Sequence, residues 1–102
     1  MNKVKITVVK VSDYREIHGD RDIGCSADIA PKCGKFEEGQ EFVTDMQSVP
    51  ENFCPFAFRD IAHHIIVLGE NGNYSWMNEK GRVMTCCTDG FRPVFFRLER
   101  ME

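Results

Sequence analysis

Five cysteines are the residues of this 102-residue chain with the most chemical potential. Cys86 and Cys87 are adjacent near the C-terminus, whereas Cys25, Cys33 and Cys54 are spread along the upstream part of the chain. Cysteine thiolates bind zinc and iron–sulfur clusters and act as nucleophiles in redox enzymes. Because the count is odd, any disulfide scheme within a monomer leaves one thiol unpaired, so a disulfide framework is the less favoured interpretation.

The spacing of the cysteines bears on a shared metal site. Structural zinc and iron–sulfur sites usually contain a tight pair such as Cys-x-x-Cys, and the only close pair here is adjacent. If Cys86 and Cys87 both lie in a strand, their side chains point to opposite faces; both could point inward only if the strand ends at Cys86. A site of four thiolates would use Cys33, Cys54, Cys86 and Cys87, with Cys25 as a substitute for one. The alternative is that these cysteines are small buried hydrophobic residues.

Cys54 has the strongest physical case for reactivity, because it is predicted to lie at the start of a helix. Unpaired N–H groups and the helix dipole at such a position favour a thiolate over a thiol. Cys54 is therefore the candidate catalytic nucleophile, with Cys86 or Cys87 as the resolving thiol, and it is equally suited to bind a metal. The sequence also leaves open that Cys54 only extends the apolar stripe of the helix.

Asp89 and Arg92 are the candidate ligand-binding residues outside the cysteines. Thr88-Asp89-Gly90 is typical of a turn, in which the aspartate accepts local backbone hydrogen bonds. Arg92 precedes Pro93 and would project near this turn, where it could bind a carboxylate or phosphate group. It could equally pair with Asp89 and staple the hairpin.

One helix and four strands must position these residues. The helix is predicted from Phe53 or Pro55 to Leu68, with Asn52 as N-cap and Gly69 as the left-handed stop. Its apolar stripe faces the core, and its opposite side faces water; the stripe comprises Phe58, Ile61, Ile65 and Leu68, and the water side comprises Arg59, Asp60 and His63. His63 and His64 point about 100° apart and are not expected to share a ligand.

Alternating apolar residues predict the strands. The first covers Lys3 to Val11, a short one begins near Glu41, and two more cover Arg82 to Cys87 and Val94 to Arg100. A short helix is expected near Asp13 to Ile17, within an irregular segment from Ser12 to Lys35 that also holds Cys25. We expect a single α+β domain over residues 1–102: an antiparallel sheet, with barrel-like closure as an alternative, packed against one main helix.

Composition limits the classes of partner. The net charge is −3, with 42% hydrophobic and 28% charged residues, as in an ordinary soluble domain. A mildly acidic chain without a basic cluster is not expected to bind nucleic acid. No apolar run approaches the length of a membrane span and no signal peptide is visible, so we expect no membrane partner and a cytoplasmic location. Exposed aromatic residues such as Phe95 and Trp76 could instead serve an interaction or homo-oligomerisation domain.

The run from Cys86 to Val94 (Cys-Cys-Thr-Asp-Gly-Phe-Arg-Pro-Val), taken with Gly39-Gln40-Glu41-Phe42 and Phe53-Cys54, resembles a small family of uncharacterised bacterial and archaeal proteins, many from anaerobes. The resemblance covers nearly the whole chain except a loop around residues 16–31. It implies that four recurring thiols, those of Cys33, Cys54, Cys86 and Cys87, are grouped, and that Cys25 is particular to this chain. In the family a proline usually follows the first cysteine, where Gly34 stands here.

The sequence thus favours a small protein that binds zinc or an iron–sulfur cluster through Cys33, Cys54, Cys86 and Cys87. A thiol-redox enzyme that uses Cys54, and an interaction domain with structurally buried cysteines, are the two alternatives. The sequence identifies no substrate.

Overall fold

The computed structural model describes residues 1–101. Two helices and four strands follow one another along the chain: β1 Val4–Val11, α1 Tyr14–His18, β2 Glu41–Thr44, α2 Pro55–Gly69, β3 Arg82–Cys86 and β4 Val94–Arg100. The strands form one antiparallel sheet in the order β2-β1-β4-β3, and α2 packs on β1, β3 and β4. The predicted α+β class is confirmed. The barrel-like alternative is wrong, because β2 and β3 are open edges. Glu102, the last residue of the expected domain, lies outside the described residues.

The central strand pair, β1 and β4, carries most of the side chains that the helix covers. Val8 pairs with Phe96 and both are buried, which confirms the alternation predicted for the two strands. The register then shifts at Val9, which is exposed, so that Val11 pairs with the buried Val94. Such a bulge inserts one extra residue and reverses the alternation. Val11 therefore joins the helix-covered core instead of covering the opposite face.

Helix α2 begins at Pro55, one of the two predicted starts, but its N-cap and its C-terminal end differ from those predicted. Cys54 is the N-cap, and Asn52 instead lies in the preceding turn with a φ of 64°, a left-handed conformation that asparagine tolerates. Gly69 is still helical, and the left-handed residue is Asn71 with a φ of 67°. The N-terminal segment packs close to Gly69: the Asn2 N–H donates to the Gly69 carbonyl at 2.8 Å, and a Cβ atom at Gly69 would lie 2.6 Å from the flexible end of the Met1 side chain, which would have to move.

A cluster of phenylalanine rings joins the loops to the sheet. Phe53 is 3% exposed, and its ring lies 5.0 Å from that of Phe36 and 5.5 Å from that of Phe96. Phe42 packs edge-on against Phe53 at 4.9 Å. Aromatic pairs in such arrangements add stability beyond the area that they bury. The cluster fixes Cys54, which directly follows Phe53, relative to the segment that carries Cys33.

The irregular segment after β1 is held against the tip of the β3–β4 hairpin. Its short helix, α1, is capped by Asp13 in a complete capping box with Glu16. The Tyr14 ring stacks on Phe91 at 4.6 Å, and His18 Nε2 lies 2.8 Å from the Gly90 carbonyl oxygen. These contacts bring the loop that precedes Cys33 onto the hairpin. Among residues 1–101, none of the helices has the length and apolar character needed to cross a membrane.

Candidate functional site

Three of the four cysteines proposed from the sequence line one cavity. Its volume is about 320 Å³, and Cys33, Cys54 and Cys87 all form part of its wall. The cavity lies where the first turns of α2 meet the end of the β3–β4 hairpin, with Phe36 and Val94 on its apolar side. The three thiols come from a loop, a helix start and a hairpin, so only the folded chain brings them to one place.

Cys54 occupies the N-cap position of α2 with an extended backbone, φ −68° and ψ 122°. Its carbonyl accepts the first helical hydrogen bond from the Phe58 N–H at 3.0 Å. The Cys54 side chain makes no capping hydrogen bond, and Pro55 follows it at the first helical position. N–H groups in the first turn of a helix have no intrahelical acceptor. The start of α2 therefore presents positive electrostatic potential beside the Cys54 sulfur.

Cys87 is held by two contacts with the start of β4. Its N–H donates to the Val94 carbonyl at 3.1 Å, and the Val94 N–H donates to Cys87 Sγ at 3.3 Å. This reciprocal pairing continues the hairpin by one residue beyond β3. It also fixes the direction of the Cys87 side chain toward the cavity.

Cys86 does not share that environment, although β3 ends at this residue, which was the condition for both adjacent thiols to point inward. Among the described residues that line the cavity, Cys87 is present and Cys86 is not. Burial raises the pKa of the Cys86 thiol, and the neighbouring Cys87 and the charge of Asp60 raise it further. Cys86 is thus held as a neutral thiol. Cys25 is exposed in the irregular loop and does not belong to the lining described here.

Asp60 is the functional candidate that the sequence reasoning missed. It was expected on the water face of the helix, yet its side chain is only 7% exposed and it lines the cavity. Its Oδ2 accepts hydrogen bonds from the N–H and the Oγ1 hydroxyl of Thr88, both at 2.8 Å. The expectation failed because the hairpin tip folds over this face of α2. The available signal was that Asp60 is the single carboxylate in the helix sequence.

The charge state of Asp60 is set by opposing effects. Burial raises its pKa, but the two Thr88 hydrogen bonds and the Arg59 guanidinium, 3.7 Å away, outweigh burial, and the net pKa is lowered. Asp60 therefore carries a negative charge at neutral pH. The ionised carboxylate is thus stabilised where it lies, although its side chain has lost most of its contact with water. Perturbed carboxylates of this kind occur at functional sites and also in structural networks.

Asp89 and Arg92 make contacts within the protein. Asp89 Oδ1 accepts from the N–H groups of Phe91 and Arg92 at 2.9 and 3.3 Å, as expected for an aspartate in a turn. Arg92 Nε lies 3.6 Å from Asp89 Oδ2, and its Nη1 donates to the Ala30 carbonyl. This geometry agrees with the stapling interpretation. Asp89 also lines the cavity, and its use with Arg92 to bind a ligand stays a prediction.

His63 and His64 form a separate cluster toward the middle of α2. His64 Nδ1 lies 2.6 Å from the Tyr74 hydroxyl, so its partner is this tyrosine. The rings of His63 and His64 are 4.0 Å apart. Burial lowers the pKa of His64, and the neighbouring His63 lowers it further. Beside them Tyr74 contacts Trp76, which is 68% exposed.

The described residues do not present a formed metal centre. Across residues 1–101, no three or more side chains of the types His, Cys, Asp and Glu form a group that could hold a metal ion. Cys33, Cys54 and Cys87 supply the soft sulfur donors that zinc and iron–sulfur clusters prefer. They share a cavity wall in this structure without forming a coordination shell.

Comparison of the chain with family models, curated proteins and solved structures finds no match. The resemblance inferred from the Cys-Cys-Thr-Asp-Gly-x-Arg-Pro-Val motif therefore stays a prediction. The function of the protein is therefore inferred from the geometry of the cavity.

Proposed function

We propose that the protein is a dithiol oxidoreductase that exchanges disulfides with a small molecule, using Cys54 as the attacking thiol and Cys87 as the resolving thiol. The observation that carries this proposal is the shared cavity, whose wall includes both the N-cap cysteine and a second, well-fixed thiol. The volume of about 320 Å³ falls at the lower end of the range for small-molecule sites. Cys87 is preferred over Cys86 because Cys87 lines the same cavity as Cys54, whereas Cys86 does not belong to that lining.

The reaction needs two exchange steps. The Cys54 thiolate attacks one sulfur of a low-molecular-weight disulfide, so that a bond forms between Cys54 Sγ and that sulfur while the other half leaves as a thiolate. The Cys87 thiolate then attacks Cys54 Sγ, which forms the Cys54–Cys87 disulfide and releases the second half as a thiolate. The protein dithiol is oxidised and the small disulfide is reduced. A reducing compartment such as the cytoplasm would regenerate the dithiol, and we propose that location.

Trapping the mixed disulfide tests this function. Reduced protein treated with oxidised glutathione should form a Cys54–Cys87 disulfide, seen by mass spectrometry of peptides generated without reduction. Cys87→Ser should stop the reaction at glutathione attached to Cys54, and Cys54→Ser should prevent both products. Cys25→Ser is the matched control, since Cys25 is exposed outside the cavity, and it should behave like the wild type. Glutathione attached equally to all five cysteines, with no internal disulfide, would contradict the proposal.

A second candidate function is metal binding, favoured by the same convergence of three thiols. Cys33, Cys54 and Cys87 would be the ligands, with movement of their side chains, while Cys86 would have to leave its present environment to supply the fourth. Protein purified without oxygen should then contain stoichiometric zinc or iron by elemental analysis. Cys33→Ser should lose that metal and Cys25→Ser should keep it. Metal-free protein that also fails to bind added zinc would eliminate this candidate.

A third candidate is an interaction domain, for which the exposed aromatic side chains are the supporting observation. Phe56 and Trp76 are 69% and 68% exposed, whereas Phe95 is half-buried on β4. Exposed aromatic rings are enriched where proteins bind one another. Light scattering should then give the mass of a homo-oligomer that Trp76→Ala reduces to a monomer. A monomeric wild type across the concentration range would count against self-association.

A further inference from the structure

We infer that Asp60 is a positioning residue. It binds the segment that contains Cys87 to helix α2, and so holds the resolving thiol at the cavity that Cys54 also lines. This inference rests on the proposed dithiol function and deepens it. Asp60 is assigned no contact with substrate, so it acts through the position of Cys87.

The first support is the contact itself. Thr88 directly follows Cys87, and both its N–H and its hydroxyl donate to Asp60 Oδ2 at 2.8 Å. Hydrogen bonds to a charged acceptor are stronger than those between neutral groups. The pair of bonds fastens the residue after Cys87 to the helix that carries Cys54 at its start.

The second support is the place of Asp60 on α2. It lies six residues after Cys54, which corresponds to about 9 Å along a helix axis. Both residues line the cavity, as do Cys87 and Thr88. The hairpin contacts of Cys87 with Val94 hold it to the sheet, while the Asp60 contacts hold its neighbour to the helix. Cys87 is therefore fixed from both layers that form the cavity.

The third support is that the Thr88 hydrogen bonds offset the burial of Asp60. A carboxylate that is 7% exposed and paired only loosely with Arg59 at 3.7 Å would be better solvated on an ordinary helix surface. The Thr88 hydrogen bonds compensate for that loss of hydration. The hydroxyl and the backbone N–H of Thr88 both donate to one oxygen of Asp60. These two bonds fix the segment that contains Cys87.

The test measures how strongly Cys54 and Cys87 are held together. The equilibrium constant for forming their disulfide from oxidised glutathione should fall about tenfold in Asp60→Ala, because the variant loses two hydrogen bonds to a charged acceptor. Asp60→Asn keeps an acceptor oxygen and should recover part of the constant. Thr88→Val keeps the N–H donor and should give a smaller loss than Asp60→Ala.

A control separates positioning from general loss of stability. Ile65→Val removes one methylene from a fully buried residue of the same helix, away from the cavity lining described, and should leave the disulfide equilibrium within about twofold. If Ile65→Val lowers the constant as much as Asp60→Ala does, Asp60 has only a structural role and the inference is overturned.

Hydrogen exchange of the Thr88 amide keeps the inference testable if the dithiol function fails. In the fully reduced wild type this amide should exchange slowly, and Asp60→Ala should speed its exchange at least tenfold while amides in β1 and β4 stay protected. That result supports positioning by Asp60 even when no Cys54–Cys87 disulfide forms. Unchanged protection of the Thr88 amide in Asp60→Ala would overturn the inference, whatever the glutathione reaction shows.

Discussion

The two ends of helix α2 are built in contrasting ways. At its C-terminal end the last carbonyls are satisfied: the Glu70 N–H donates to Ile66, and Arg100 Nη1 donates to the carbonyls of Leu68 and Gly72 at 3.1 and 2.8 Å. At its N-terminal end, Cys54 occupies the cap position without a capping hydrogen bond, and a cavity opens beside it. The closed end contributes stability, while the open end leaves donors available for a thiolate or a ligand.

The largest expected effect comes from breaking the aromatic cluster under the open end. Phe53→Ala should lower the free energy of unfolding by about 3–5 kcal/mol, because it removes a large buried ring and leaves a cavity. Urea unfolding would measure the change. Phe56→Ala, at an exposed ring three residues later, should change stability by no more than about 0.5 kcal/mol. Equal losses in the two variants would mean that the cluster does not support this end of the helix.

Removing hydrogen bonds at the C-terminal end of α2 should lower the free energy of unfolding without changing the reactivity of the Cys54 thiol. Arg100→Ala removes hydrogen bonds to Leu68, Gly72 and Asn73, and we expect a loss of about 1–3 kcal/mol in urea unfolding. The rate at which iodoacetamide alkylates Cys54 should not change, since the two ends of a 15-residue helix are about 22 Å apart.

Arg97→Ala is the matched control for Arg100→Ala. Arg97 lies on the same strand, and its Nε donates to Glu99 Oε1 at 2.9 Å near the surface. Arg97→Ala should therefore lower the free energy of unfolding by less than about 1 kcal/mol. A change in the rate of Cys54 alkylation in Arg100→Ala would contradict this expectation, because it would show that the two ends of the helix are coupled.

A capping side chain in place of Cys54 should remove the reactive thiol and stabilise the start of α2. A serine hydroxyl is a better N-cap group than a thiol, so Cys54→Ser should be more stable than Cys54→Ala by about 1 kcal/mol. Both variants should lose the alkylation and glutathione attachment assigned to Cys54. Equal stability of the serine and alanine variants would show that the first-turn N–H groups are not accessible to a side chain at this position.

The smallest expected effect concerns helix α1. Its N-cap residue, Asp13, makes the side-chain capping hydrogen bonds that Cys54 does not make in α2. The side chain and then the backbone N–H of Arg15 donate to the Asp13 carboxylate and lower its pKa from 3.8 to about 2. Because the folded-state pKa is the lower one, the stabilisation by Asp13 is present above about pH 4 and is lost as the pH falls toward 2.

Urea unfolding between pH 2 and pH 6 measures that dependence. The stability difference between the wild type and Asp13→Asn should shrink as the pH falls from about 4 to 2. A difference that stays constant across this range would mean that the Arg15 contacts do not favour the ionised carboxylate.

Local patterns in the sequence predicted the elements well. The alternation of Val8 with its neighbours and the apolar stripe through Ile61 and Ile65 are direct consequences of strand and helix periodicity. The start of α2 at Pro55 was one of the two predicted, but the N-cap was wrong by two positions and the last helical residue by one, because capping depends on the chain that approaches each end. At Gly69 that chain is the N-terminal segment, whose Asn2 N–H donates to the Gly69 carbonyl.

The candidate site was only partly predictable. Cys54 at a helix start could be recognised, because capping signals and an apolar period are local. Strand geometry left open whether Cys86 and Cys87 point the same way, because this depends on where β3 ends. That only Cys87 lines the cavity depends on how the hairpin packs on α2. Asp60 was placed on the wrong side because the residues that cover it, Thr88 and its neighbours, are 28 positions away.

The sequence by itself determined the α+β composition, the predominant faces of β1, β4 and α2, and the position of Cys54 near a helix start, because periodicity and capping act over a few residues. The tertiary structure alone decided that Cys33, Cys54 and Cys87 share one cavity while Cys86 does not, and that Asp60 is covered by Thr88. These are contacts between distant segments, and their geometry depends on the packing of the helix on the sheet and on the fold of the hairpin tip over it.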